Sequence, residues 1–258
     1  MDFFRRFFRV SYVVILFLLG ALELLVTRPK TRPERAAWLS RFAKRLLRCF
    51  DLKFSLVGTP PPSGAVLSNH LTFFDILVHS AVRPTVFVSK AELRKTPLLG
   101  WMSMMAGTIY VVRGGGGSAA KAAQGMAEGF RDGIPVTFFP EGTTGTGDQI
   151  VMPFRSGLIA QTLEAEEPMR AAFVRYDLSE RDLAAGHTAR QDIHWGTQTL
   201  PQLVWAFAGL HELQASVFYA AEPIDFTPQA LANRKIAAAE ARTAVRALGE
   251  QAQASAPK

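Results

Sequence analysis

A chain of 258 residues is long enough for one sizeable hydrophobic core. With 48% hydrophobic and 20% charged residues the composition is not that of a disordered chain, and the single cysteine, Cys49, excludes an internal disulfide. The net charge of +7, from 29 basic and 22 acidic side chains, suits an anionic membrane surface or a phosphorylated substrate. Nucleic acid fits poorly, because the basic residues are densest near the N-terminus and are mixed there with long apolar runs. No Cys/His cluster has metal-ligand spacing, so no metal site is expected.

The chain opens with MDFFRRFFRVSYVVILFLLGALELLV, apolar almost throughout. Its uninterrupted part, residues 10–26, contains Glu23 and falls short of the roughly 20 apolar residues a spanning helix needs. Arg5, Arg6 and Arg9 precede it and Arg28, Lys30, Arg32 and Arg35 follow, so charge gives no orientation. Either a single span or a helix lying in one leaflet satisfies this pattern; Glu23 and the basic flanks favour the second. A buried helix of a soluble domain is the alternative. TRPKTRPER at 27–35 predicts a hinge, and residues 34–50 a basic amphipathic helix with Trp38, Leu39, Phe42, Leu46, Leu47 and Phe50 on its apolar side.

From residue 52 the pattern alternates. Strands are predicted at 52–58, 65–68, 85–89, 108–112, 135–139, 171–174 and 213–220. Helices are predicted from near Phe73 and over 118–131, 156–166, 198–208 and 227–250. This order predicts an α/β fold, a mostly parallel sheet flanked by helices with a membrane-associated helical segment before it. The expected divisions are 1–32 for the N-terminal helix and hinge, 33–252 for the α/β domain, and 253–258 for a tail.

Three loops following predicted strands hold polar residues between apolar ones: SNHLTFFD after 65–68, RGGGG after 108–112, and FPEGTT after 135–139. Ligands gather at the carboxyl ends of strands in such sheets. In one straight helix His70 and Asp75 would lie about 140° apart around the axis, so a His70–Asp75 pair requires His70 in the loop and Asp75 in the first helical turn, with Thr72 as N-cap. Such an Asp fixes the imidazole tautomer and leaves the second ring nitrogen to act as a base. A capping turn with an exposed histidine is the competing reading. No nucleophilic elbow accompanies the pair, so an attacking group would belong to the substrate. Arg113 beside four glycines, and Glu141, Gly142 and Thr143 in the third loop, are either anion- and hydroxyl-binding groups or ordinary turns.

Taken together the three loops resemble the conserved blocks of the glycerolipid acyltransferase family, the 1-acylglycerol-3-phosphate acyltransferases and related lysophospholipid acyltransferases. NHLTFFD resembles Asn-His-x₄-Asp, GTIYVVR (107–113) the second block with Tyr110 for Phe, and FPEGTT the third with Thr144 for Arg. The order is that of the family, and the resemblance covers residues 45–225. It implies a general base at His70 oriented by Asp75, and substrate binding by Arg113, Glu141, Gly142 and Thr143, with Lys90 and Arg155 near the same pocket. It implies acyl-chain contacts at Phe73 and Phe74, and no bound cofactor. Acyl-CoA or an acyl carrier protein (acyl-ACP) would be the co-substrate, a lysolipid the acceptor, and the cytoplasmic face of the inner membrane the location. The acceptor implied first is 1-acylglycerol-3-phosphate. Thr144, and Ala171 where the fourth block carries Pro, are departures that bear on the head group. A lyso-ornithine lipid acceptor is the alternative; a non-catalytic lipid-binding protein and a hydrolase are the readings from other classes.

Overall fold

The computed structural model describes residues 2–111, 118–145, 147 and 149–255. Its helices are α1 (Asp2–Thr27), α2 (Arg32–Cys49), α3 (Phe74–Val82), α4 (Leu99–Met105), α5 (Ser118–Arg131), α6 (Ser156–Glu164), α7 (Glu180–Ala184), α8 (Ala189–Asp192), α9 (Leu200–Gly209), α10 (Pro228–Ala232) and α11 (Arg234–Ala254). Its strands are β1 (Lys53–Val57), β2 (Ala65–Ser68), β3 (Val86–Lys90), β4 (Ile109–Val111), β5 (Val136–Phe138), β6 (Met169–Asp177) and β7 (Gln214–Tyr219). A short 3₁₀ helix, Ala91–Lys95, follows β3.

The strands form one mixed sheet in the order β1-β7-β6-β2-β5-β3-β4. Every neighbouring pair is parallel except β6 and β7, which are antiparallel. Because side chains alternate across a strand, the two faces carry different cores. Val66, Ala172, Val174, Ala215 and Val217 face a layer containing Trp38, Phe42, Phe50, Phe74 and Phe207. Ala65, Leu67, Ala171, Phe173 and Phe218 face Met126, Ile159, Ala238, Ala241 and Val245 on the other side. The central strands are therefore buried on both faces, and their short continuous apolar runs reflect that.

The N-terminal helix shares the first core. Val13, Leu16 and Leu24 are buried against it, while Phe3, Phe4, Phe7, Phe8, Leu18, Leu19, Leu22 and Leu25 are exposed on the opposite side. By length and composition Phe3–Thr27 is apolar enough to cross a membrane, with a mean hydropathy of 2.3. Its arginines dock it. Arg5 donates to the Gly209 carbonyl, Arg6 to that of Trp205, and Arg9 to those of Ala208 and Leu210, all at the carboxyl end of α9. The last carbonyls of a helix lack partners within it, and cations are favoured at that end. Glu23 pairs with Arg45 of α2 at 2.7 Å and Arg41 at 3.6 Å. Residues 28–31 turn the chain into α2, whose start is closed by a reciprocal capping box between Thr31 and Glu34.

Candidate active site

The site lies at the carboxyl end of β2, the middle strand, where the chain turns into α3. Register explains the choice of residues. Ser68 is level with Ala172 of β6, so residues 174–176 run past the end of β2 and wall the turn. The buried Asn69 amide accepts from the Val174 amide at 2.7 Å and donates to its carbonyl at 2.9 Å, continuing the ladder with a side chain. Behind it Ser68 Oγ contacts His79 Nε2 at 3.0 Å, and His79 Nδ1 contacts the Tyr219 hydroxyl at 3.2 Å. Burial pushes His79 down to about 4, so it is neutral in this network.

His70 and Asp75 meet. His70 Nδ1 is 2.8 Å from Asp75 Oδ2, with the carboxylate wholly buried and the imidazole partly exposed. Oδ2 also accepts the amides of Leu71 at 2.6 Å and Thr72 at 3.0 Å. The remaining oxygen, Oδ1, accepts the Tyr176 hydroxyl at 2.7 Å. Burial and the neighbouring carboxylate raise the Tyr176 phenol well above its ordinary value, so it is a neutral donor. The expected Thr72 cap does not form: α3 begins at Phe74, and the Asp75 carboxylate collects the turn's amides instead. Thr72 Oγ1 is buried without a hydrogen-bond partner.

The imidazole plane is fixed from a second side. Phe139 stacks on it with centroids 4.1 Å apart and planes 9° from parallel. Glu141 Oε1 accepts the His70 amide at 3.2 Å, and Gly145 donates to the His70 carbonyl at 2.7 Å. Glu141 thus sits behind the turn that carries His70, with the backbone amides of His70 and Met152 on its carboxyl and Arg242 acting on it. Burial pushes its carboxyl up to about 8, reinforced by Asp75 and opposed by the amides of His70 and Met152 and by Arg242. Gly142 closes the turn at φ +71°, a conformation that favours glycine, with its amide on the Phe139 carbonyl.

His70 opens onto a cavity of about 840 Å³ that Phe73, Lys90, Gly142, Thr143, Arg155 and Trp195 also line. Lys90 ends β3 and Arg155 precedes α6, so both cations come from carboxyl-end loops. Phe74, expected beside the acyl chain, is not in this lining. It stacks on Phe207, centroids 3.7 Å apart, and meets Phe50 edge-on in the core. Arg113 lies outside the described residues. Three residues were missed by the sequence reading: Phe139, Tyr176 and Trp195. Trp195 lies in the segment before α9; its amide donates to the Leu71 carbonyl at 2.7 Å and its carbonyl accepts Thr144 Oγ1 at 2.6 Å.

A carboxylate-oriented histidine beside a partly apolar cleft, with no nucleophile partnered to it among the described residues, can deprotonate a hydroxyl delivered by a substrate. Residues 60–174 match the family model described as Acyltransferase. The chain is 29% identical over 193 residues to the 1-acyl-sn-glycerol-3-phosphate acyltransferase of Neisseria gonorrhoeae, covering 73% of this chain and 71% of that protein. It is 35% identical over 140 residues to the lyso-ornithine lipid O-acyltransferase of Pseudomonas aeruginosa, covering 54% of this chain and 52% of that protein. The match therefore spans from half to seven tenths of these relatives. In fold the chain is similar to the crystal structure of the 1-acyl-sn-glycerophosphate acyltransferase PlsC of Thermotoga maritima, with a TM-score of 0.72, 17% identity and full coverage of both chains. Site and sequence matches together define an O-acyltransferase of the lysophospholipid type. Across these matches the chain resembles the glycerolipid acyltransferase family.

Proposed function

We propose that the enzyme moves a fatty acyl group from a thioester donor, acyl-CoA or acyl-ACP, to the free hydroxyl of a lysolipid, with 1-acylglycerol-3-phosphate as acceptor and phosphatidate as product. The single observation that carries this reading is the 2.8 Å His70–Asp75 contact at the floor of the cleft. With Nδ1 engaged, Nε2 takes the proton of the acceptor hydroxyl. The oxygen attacks the thioester carbonyl directly, the carbon–sulfur bond breaks, and the departing thiolate receives that proton from the imidazolium. No metal or bound cofactor takes part in this scheme. Lys90 and Arg155 supply positive charge for the acceptor phosphate or for the phosphates of the donor, and Arg113 is assigned to the acceptor phosphate from its motif position alone.

Beside the cleft lies a small apolar cavity of about 60 Å³ that shares Phe73, Phe87 and Leu99 with it and is closed by Phe17 and Phe42. This is the direction in which an acyl chain would run. The exposed apolar side of α1 would seat the enzyme on the cytoplasmic face of the inner membrane, where lysolipid enters from the bilayer plane.

One observation favours a second acceptor. Thr144 stands where the resembled block has Arg, and its hydroxyl is committed to the Trp195 carbonyl. A cleft with one cation fewer suits a lysolipid without a phosphate monoester, such as lyso-ornithine lipid. Turnover in mixed micelles, crossing both donors with a panel of lyso-acceptors, tests the assignment. Wild-type protein transfers acyl groups and folded His70→Ala does not; full turnover by that variant would remove His70 as the base. Preference for lyso-ornithine lipid over 1-acylglycerol-3-phosphate would replace the first acceptor by the second.

A further inference from the structure

We infer that Tyr176 is a positioning residue of the reaction, setting the strength of the base through Asp75; the inference rests on the reading of His70 as that base. The geometry is specific. The hydroxyl lies 2.7 Å from Oδ1, the carboxylate oxygen that His70 does not use. Tyr176 is 101 positions from Asp75 and reaches it only because β6 overruns β2. Its ring is buried in the core that carries α3, so the donor is held by packing as well as by the bond itself.

The electrostatics follow from this arrangement. A neutral hydroxyl on Oδ1 draws charge away from Oδ2, the oxygen that faces the imidazole. Without the hydroxyl, Oδ2 keeps its two amide donors and concentrates more charge on the Nδ1 proton. The imidazolium then holds its proton more firmly. The base is filled by a proton until a higher pH, and the acidic limb of the rate profile moves upward. Other titratable groups bear on the same centre: His79 from the same helix, held neutral by burial; Glu141 from the loop after β5; and Arg242 of α11, which acts on Glu141. None of these contacts Oδ1 of Asp75 in the way Tyr176 does.

Tyr176→Phe keeps the ring and removes only the hydroxyl. Its expected signature is a kcat about tenfold lower and an acidic limb of kcat/KM displaced upward by about half a pH unit or more, with acceptor KM nearly unchanged. The Nδ1–H proton resonance of His70 moves downfield in the same sample. Installing 3-fluorotyrosine at 176 preserves the shape and makes a stronger donor, so limb and resonance move the opposite way. A residue that only fills space would leave both readouts in place, and that result overturns the inference. If Tyr176→Phe fails to fold, the fluorotyrosine protein decides alone: an unmoved limb overturns the inference, and a downward shift sustains it. Retained turnover by His70→Ala would instead remove the base itself, an outcome distinguishable from either.

Discussion

The imidazole of His70 lies flat on the ring of Phe139, centroids 4.1 Å apart and planes within 9°. Asp75 fixes which nitrogen carries the proton, and Phe139 fixes the plane in which the other nitrogen points. Sequence places them in separate motifs, NHLTFFD and FPEGTT, and the β2–β5 pairing brings them together. Phe139→Leu keeps an apolar side chain but allows the imidazole to tilt. Such aromatic contacts contribute about 0.5–1.5 kcal/mol beyond burial, so kcat should fall about 3- to 10-fold with little change in acceptor KM. Steady-state kinetics on variant protein with unchanged circular dichroism checks this; a loss confined to KM would place Phe139 in substrate binding instead.

Glu141 makes a prediction about pH and stability. Burial raises its folded carboxyl from the ordinary 4.5 to about 8. The folded protein therefore binds a proton that the unfolded chain has already released above about 4.5. The associated stability is complete below that pH and is lost as pH rises through about 8, at up to about 1.4 kcal/mol per pH unit. Glu141→Gln retains an oxygen for the His70 amide and cannot titrate. Thermal midpoints of the wild type should decline between pH 5 and pH 8 more steeply than those of the variant. Parallel curves would mean that the carboxyl is not carried protonated into the fold.

How far the site can be read in the sequence depends on the reach of each interaction. Short buried strands bounded by turn residues gave the sheet its members, and the two faces follow from their alternation. His70 and Asp75 are five residues apart, so turn geometry alone could pair them. Tyr176 could not be found that way. The predicted strand stopped at residue 174, whereas β6 continues to Asp177 because a neighbouring antiparallel strand supports it. The FVRYD continuation was the available signal. Phe73 and Phe74 illustrate the opposite limit. Adjacent residues at a helix start point about 100° apart, so one faces the cleft and the other the core, and hydrophobicity does not say which. Trp195 lies in the short aperiodic segment between α8 and α9, where pattern carries no placement at all.

Two bonds tie Trp195 to the site, from its amide to the Leu71 carbonyl and from Thr144 to its own carbonyl. Trp195 and Gly196 line the cleft beside the turn that carries His70. Thr144→Val preserves volume and removes the second bond, a change of about 1 kcal/mol. The wall should loosen and acceptor KM rise about 3- to 10-fold, with kcat affected less, because His70, Asp75 and Phe139 are untouched. Kinetics over a range of lyso-acceptor concentrations, with tryptophan fluorescence to follow the wall, separates this from a loss of the base. An unchanged KM would mean that the wall does not meet the acceptor.

The exposed side of α1 gives the last test. Phe4 and Phe8 are each 67% exposed, while Val13, Leu16 and Leu24 anchor the helix to the core and the arginines hold it to α9. Removing Phe4 and Phe8 therefore subtracts apolar surface without undocking the helix. A phenylalanine moved from water into an apolar phase contributes about 1.5–3 kcal/mol, so each Phe→Ser change should weaken vesicle binding about tenfold or more. The pair should shift the enzyme from pellet to supernatant when sedimented with vesicles of anionic phospholipid. Basic side chains near the surface add an attraction that salt screens, so raising the ionic strength should weaken the variants' remaining binding further. Double-variant protein that still pellets completely at high salt would show that another part of the chain carries the membrane contact.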